Sequence, residues 1–236
     1  MKLLAFETSA KAASVALLAD GVLVGESYLN SGQTHSRTVM KLAADLLENC
    51  DLKPAEIDVV AYANGPGSFT GIRIGVAAAK GFCWGLELPC VPVSTLEGMA
   101  YSHLDLDGTV CCCMDARRSQ VYNALFSVKD GAVQRLRPDR AISLEELAAD
   151  LADVAGPIEL VGDGAALVYD ALHSRIANVR LSAEHLRQQR ASGIALAAWK
   201  PASTGEACPA GLPLPNYLRL SQAERERLAK IRDKGE

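Results

Sequence analysis

Apolar and polar positions divide the chain into two rounds of one pattern. In the first round, apolar runs over 2–7, 13–18 and 22–29 read as strands, the last two joined by the hairpin turn Asp20-Gly21. Over 36–50, Val39, Met40, Ala43, Leu46, Leu47 and Cys50 recur at spacings of three and four. Arg37, Lys41, Asp45 and Glu48 fall between them, which predicts an amphipathic helix. A run over 57–63 reads as a strand buried on both faces, followed by a buried helix over 72–86 and a strand over 90–93. Ser94 or Thr95 caps a helix running to about residue 103.

The second round has strands over 109–114, 121–128 and 132–136, with the turn Asp130-Gly131. Ser143 with Glu146 forms a capping box, and 158–161 is a strand ending at Gly162-Asp163-Gly164. Ser182 and Glu184 open a helix to residue 199. A proline- and glycine-punctuated loop covers 201–215, and a charged helix covers 222–234. The pattern predicts an α/β chain of two lobes, 1–104 and 105–236, each with strands, a hairpin and helices.

One stretch interrupts the periodicity. Asn64-Gly65-Pro66-Gly67-Ser68-Phe69-Thr70-Gly71-Ile72-Arg73-Ile74-Gly75 joins a strand to a helix through glycines flanking a proline. Ser68 and Thr70 are placed to cap the helix. Such a turn is either an anion site made of unpaired N–H groups or simply a tight connection. It is not a P-loop, because Lys80 stands at the wrong distance from Gly75, nor a dinucleotide fingerprint, because Gly71 comes four residues after Gly67.

Composition narrows the class. At 236 residues, 49% hydrophobic and 22% charged, the chain can bury a good core. A net charge of −4 without a basic block outside the last turns argues against binding RNA alone. The start lacks a signal-peptide core, and the apolar stretch over 72–93 is broken by Arg73, Lys80, Glu87 and Pro89, so no membrane span is expected and the cytoplasm is the expected location. Seven cysteines lack CxxC spacing and read as small buried residues of a reduced compartment. Cys111, Cys112 and Cys113 alternate faces of one strand and cannot share a tetrahedral metal. The four histidines, His35, His103, His173 and His185, never fall three or four apart.

The loop's wording, Gly-Pro-Gly-Ser-Phe-Thr-Gly-Ile-Arg-Ile-Gly, resembles the signature of the TsaB (YeaZ) family. Other pieces follow in family order: Glu7-Thr8-Ser9, Thr34-His35-Ser36-Arg37, Val93-Ser94-Thr95-Leu96-Glu97, Asp115-Ala116-Arg117 with Val121-Tyr122, and Pro215-Asn216-Tyr217-Leu218-Arg219. The resemblance is thin over 128–212. It implies the two-lobed actin-like ATPase (ASKHA) fold, with duplicated mixed sheets flanked by helices. It also implies a non-catalytic partner of a TsaD-like subunit, supporting threonylcarbamoyl transfer to N6 of adenosine 37 in tRNA that reads ANN codons. Further implied partners are a TsaE-like ATPase, a second copy when the chain is alone, and tRNA only through the complex.

Several site expectations follow from the resemblance. Glu7, Thr8 and Ser9 stand where actin-like ATPases place a carboxylate and hydroxyls near Mg²⁺ and phosphate, and Gly65, Gly67 and Ser68 of the glycine loop join them as candidate nucleotide contacts. Glutamate stands where the family more often has aspartate, and the bland alternative is a satisfied turn. No cofactor is expected to bind tightly, with ATP or ADP and Mg²⁺ entering only in the complex. The metal-binding histidine pair of TsaD-type relatives maps to Thr95 and Met99, so no metal and no metalloprotease activity are expected. A stand-alone actin-like ATPase or small-molecule kinase is the alternative reading. Asp115 and Arg117 either bind a ligand or lock a turn, and Gln120 replaces an acid common in the family. TsaB proteins pair through their first two helices, which assigns Val39, Met40, Ala43, Leu46, Leu47, Ile72, Gly75, Val76 and Ala79 to the partner interface. Read from periodicity alone, that stripe equally suits this chain's own core.

Overall fold

The computed structural model describes residues 1–209, 211 and 214–219. The expected helix over 222–234 lies outside the described residues. The first sheet begins with an antiparallel meander, β1 (Lys2–Glu7), β2 (Ala13–Ala19) and β3 (Val22–Leu29). Helix α1 (His35–Asn49) leads to β4 (Val59–Gly65), which pairs parallel with β1, and α2 (Phe69–Leu86) crosses to β5 (Pro89–Ser94), parallel to β4. After α3 (Thr95–Tyr101) the second sheet repeats the plan with the meander β6 (Gly108–Asp115), β7 (Gln120–Lys129) and β8 (Ala132–Ser143). Helix α4 (Leu144–Ala152), β9 (Ile158–Val161), α5 (Ala165–Leu172) and β10 (Val179–Leu181) complete it. Spatial orders β3-β2-β1-β4-β5 and β8-β7-β6-β9-β10 correspond strand for strand, so the duplicated plan expected from the sequence is present.

Stacking follows from which faces are apolar. Leu4, Phe6, Val15 and Leu17 of the first sheet meet α1 and α2 through Val39, Leu46, Ile72 and Val76. The opposite face, with Leu3, Ala5, Ala16 and Leu18, is covered by α7 (Ala191–Ser203) through Ile194 and Ala198. On the second sheet, α3 covers Val110, Cys112 and Phe126, while α4 and α5 cover Cys111, Leu125 and Leu160. Helices α3 and α7 therefore lie between the two sheets.

Five expectations need correction. The helix expected over 182–199 is broken into α6 (Glu184–Arg187) and α7. The break arises because the start of α7 is tied to the first sheet: the Ala191 N–H donates to Ser14 Oγ at 2.8 Å, and the Ser192 N–H donates to Glu26 Oε1 at 3.0 Å. For the same reason, 105–236 is not one lobe. The chain crosses to the second sheet after α3, but α7 returns to the first, and β11 (Cys208–Pro209) pairs with β5. Strand β8 runs on to Ser143 instead of ending at residue 136, and α5 occupies residues left without an element. The stretch over 201–215 also contains the end of α7 and β11, so it is not wholly loop.

Candidate functional site

The carboxyl ends of β1, β4, β6 and β9 converge on a cleft of about 580 Å³, where an open α/β sheet commonly receives ligands. One wall is the glycine loop. Gly65-Pro66 is a cis peptide, and Gly67 has φ +155°. A side chain at Gly67 would meet Ser9, whose Cβ would lie 2.8 Å from the new atom, so only glycine lets the β1 and β4 turns touch. The Ser68 N–H donates to the Ser9 carbonyl at 2.7 Å, and Ser68 Oγ caps α2 by accepting from the Gly71 N–H at 3.2 Å.

The six expected nucleotide contacts separate into two layers. Ser9, Gly67 and Ser68 line the cleft. Glu7, Thr8 and Gly65 sit behind it. The Thr8 hydroxyl donates to the Gly71 carbonyl at 2.8 Å, pinning α2 to the end of β1, and Gly65 is covered by the backbone of Asn216. Glu7 is 1% exposed; its Oε1 accepts the Ser9 N–H at 2.5 Å and its Oε2 has no partner. Burial pushes its carboxyl up to about 7. Glu7 therefore stands behind the cleft wall, with one carboxylate oxygen left without a partner, and is not among the residues that line the cleft.

The opposite wall is Met114, Asp115, Ala116 and Arg117 after β6, with Asp163 after β9. Asp115 Oδ1 accepts the Arg117 N–H at 2.7 Å, so of the two readings of Asp115-Ala116-Arg117 the acid locks the turn. Arg117, Arg118 and Ser119 all have positive φ, of 63°, 57° and 55°. Asp163 Oδ1 accepts from Gln189 Nε2 at 2.8 Å, and desolvation by the cleft walls raises its carboxyl above the ordinary value. From the sequence, Gly162-Asp163-Gly164 is only the end of the strand over 158–161. Its counterpart in the first round is the glycine loop, and that correspondence was the available signal.

A strap over 214–219 closes the cleft. The Asn216 N–H donates to the Asn64 carbonyl at 2.7 Å, and Arg219 donates to the Ala116 carbonyl at 2.7 Å. Tyr217 stacks on Phe69 with ring centroids 4.6 Å apart, and Arg73 lies 3.9 Å over Phe69 while donating to the Tyr217 hydroxyl. Lys11 stands at the rim. The cations Lys11, Arg117 and Arg219 and the start of α2 suit an anionic group of a ligand, Asp115 and Asp163 suit its donors, and among the described residues no histidine or cysteine lines the cleft.

No group of three metal-ligating side chains occurs among the described residues. Thr95 and Met99 are buried in α3, and His35 Nε2 bonds the Ala10 carbonyl at 2.7 Å.

The expected partner stripe is corrected too. Val39, Ala43, Leu46, Leu47, Ile72, Gly75, Val76 and Ala79 are buried within this chain, packed against β1, β2 and β4. Only Met40, at 43% exposure, faces outward. On α2 the small residues split by face. Gly71 and Gly75 admit Thr8, whereas Ala77, Gly81 and Gly85 lie on the exposed face beside Trp84, which is 72% exposed.

A family model described as TsaD, tRNA N6-adenosine threonylcarbamoyltransferase, matches residues 29–227. The tRNA threonylcarbamoyladenosine biosynthesis protein TsaB of Bacillus subtilis (strain 168) is 32% identical over 228 residues, covering 95% of this chain and 96% of that protein. The solved structure of YeaZ from Pseudomonas aeruginosa superposes with a TM-score of 0.77 at 27% identity, covering 92% of this chain and 99% of that one. Component A of (R)-2-hydroxyglutaryl-CoA dehydratase from Acidaminococcus fermentans, at TM-score 0.51 and 14% identity over 86% of this chain and 99% of that one, shares the two-lobed fold alone. With its duplicated sheets and near full-length likeness to TsaB, this chain belongs to the TsaB family.

Proposed function

We propose that the chain is the non-catalytic partner subunit of a complex that transfers a threonylcarbamoyl group to N6 of adenosine 37 in tRNA reading ANN codons. The observation that carries this reading is the match to Bacillus subtilis TsaB across 95% of the chain. Two features of the molecule support it. By the family resemblance Thr95 and Met99 stand where TsaD-type relatives carry a metal-binding histidine pair, and a net charge of −4 with no lysine- or arginine-rich block before the last turns argues against this subunit binding tRNA alone. The partner is a TsaD-like catalytic subunit, joined by a TsaE-like ATPase, with a homodimer as the resting form. The complex works in the cytoplasm; no described helix is long and apolar enough to cross a membrane.

The outward face of α1 and α2 is the docking surface, with Met40, Ala77, Gly81, Trp84 and Gly85. Cβ atoms added at Gly81 or Gly85 would meet nothing within 4 Å among the described residues, which leaves room for a helix to approach. Any nucleotide enters the cleft only in the complex.

The test is reconstitution with TsaD-like and TsaE-like subunits, tRNA and the threonylcarbamoyl donor. Modified adenosine is expected only when this chain is present, and equal yield without it overturns the proposal. The 580 Å³ cleft favours one competitor, a stand-alone ATPase or kinase. Steady ATP turnover by the purified chain would establish it instead.

A further inference from the structure

Three of the seven cysteines converge although they lie far apart in sequence. Cys83 on α2 and Cys90 on β5 are buried in the compartment between α2 and the first sheet, and Cys208 on β11 packs against the same cluster from the edge. Cys208 stands directly opposite Cys90 in the antiparallel pairing of β11 with β5, and its Sγ lies 3.5 Å from the Cys90 carbonyl. Directly opposed residues of an antiparallel pair have Cα atoms about 4.5–5.5 Å apart, inside the range a disulfide spans. The Cys83 thiol also lies beside Cys90 and points at the Pro89 carbonyl at 3.9 Å, so register, not proximity alone, singles out Cys208 as the opposed partner of Cys90.

Burial separates the three thiols. Cys208 is half-buried whereas Cys83 and Cys90 are buried, although it is Cys83 that lines the shallow depression beside Ala207 and Pro209. Cys83 beside it, the largest influence, holds the Cys90 thiol below the ordinary thiol value, while Cys83 itself is pushed up and burial raises Cys208.

We infer that Cys90 and Cys208 are a redox modification site, joined by a disulfide when the protein meets a peroxide, and that the bond fastens the root of the strap over the cleft. In the first step the Cys208 sulfur attacks the peroxide O–O bond. An S–O bond forms, the O–O bond breaks, and the departing hydroxide takes the thiol proton to leave as water. Cys90 then attacks the sulfenic sulfur; the S–S bond forms, the S–O bond breaks, and a second water leaves. Two thiols are oxidised and one hydrogen peroxide is reduced to two waters.

The consequence follows from how weakly β11 is otherwise held. Its described part is two residues long, and the next opposed pair, Pro89 and Pro209, has no N–H to donate. The described strap, which reaches Asn64 through the Asn216 N–H, starts at residue 214 of the same chain.

The test treats the full chain with hydrogen peroxide, blocks free thiols and maps peptides by mass spectrometry. A Cys90–Cys208 linked peptide is expected, lost on thiol reduction, absent in Cys208→Ser and retained in Cys83→Ser. Cys208→Ser should keep its circular dichroism and cooperative melt, since its side chain is at the edge. If Cys83→Ser does not fold, the wild-type map decides alone. Pairing of Cys83 with Cys90, or over-oxidation of Cys208 with no link, overturns the inference. Hydrogen exchange at the Asn216 amide should slow several-fold in the linked form. Unchanged exchange with the link formed overturns the fastening role.

Discussion

Gly75 of α2 lies against the Thr8 hydroxyl so closely that any Cβ at this position would overlap Thr8 Oγ1. The same hydroxyl donates to the Gly71 carbonyl one turn earlier, so it cannot swing away without breaking that bond. Gly75→Ala is therefore expected to destabilise the fold by about 2 kcal/mol through overpacking. Thermal melts measure the loss, and an unchanged melting temperature would show that β1 and α2 part easily.

Glu7 makes stability fall as pH rises. Its folded value of about 7 exceeds the ordinary 4.5, so between these values the folded state holds more protons than the unfolded one. The stabilisation is full below about pH 4.5 and is lost as pH climbs through 7. A difference of 7 − 4.5 = 2.5 units corresponds to roughly 3 kcal/mol. Glu7→Gln keeps an acceptor for the Ser9 N–H and should gain on wild type above pH 7 in denaturant titrations. Parallel pH profiles for the two proteins would place the titration elsewhere.

The capping box at the start of α4 is closed in both directions. Ser143 Oγ accepts the Glu146 N–H at 3.2 Å, and Glu146 Oε2 accepts the Ser143 N–H at 2.8 Å. Ser143→Ala should cost about 1 kcal/mol, read from the shift of a urea midpoint at constant slope. Ser143→Asp, a comparable cap, should recover most of it.

Legibility followed the range of the signal. The Ser143-Glu146 box, the hairpin turns and the strand–loop–helix at Gly65 are local, and their residues name their conformation. The return of α7 to the first sheet is not local, because nothing near Ala191 announces a bond to Ser14. The stripe on α1 shows a different limit. A period of 3.6 fixes which face of a helix is apolar, but not whether a sheet of the same chain or another molecule covers it. Val39 and Leu46 are covered by β1 and β2, and nothing in their spacing distinguished the two. In the cleft, Ser9 and Ser68 could be placed from the motif, whereas Lys11, Asp163 and Arg219 come together only through the fold.

The two faces of α1 and α2 can be separated by substitution. Leu46 is buried between α1 and the first sheet, so Leu46→Asp places an unpaired charge in the core, at a cost of several kcal/mol. It should abolish the cooperative melt before any question of association arises. Trp84 is 72% exposed at the end of α2, so Trp84→Asp should leave the melt and circular dichroism unchanged. If the outward face is the docking surface, the charge removes a large aromatic contact, and aromatic residues near the centre of an interface often contribute 2 kcal/mol or more. A loss of about 2 kcal/mol weakens association some thirtyfold, since ~1.4 kcal/mol is tenfold. Sedimentation of the chain alone, titration with the TsaD-like subunit and the yield of modified adenosine should then all decline together. A folded Trp84→Asp protein that still pairs and still supports modification would exclude this face and direct attention to the exposed edge at Val22 and Leu23 of β3.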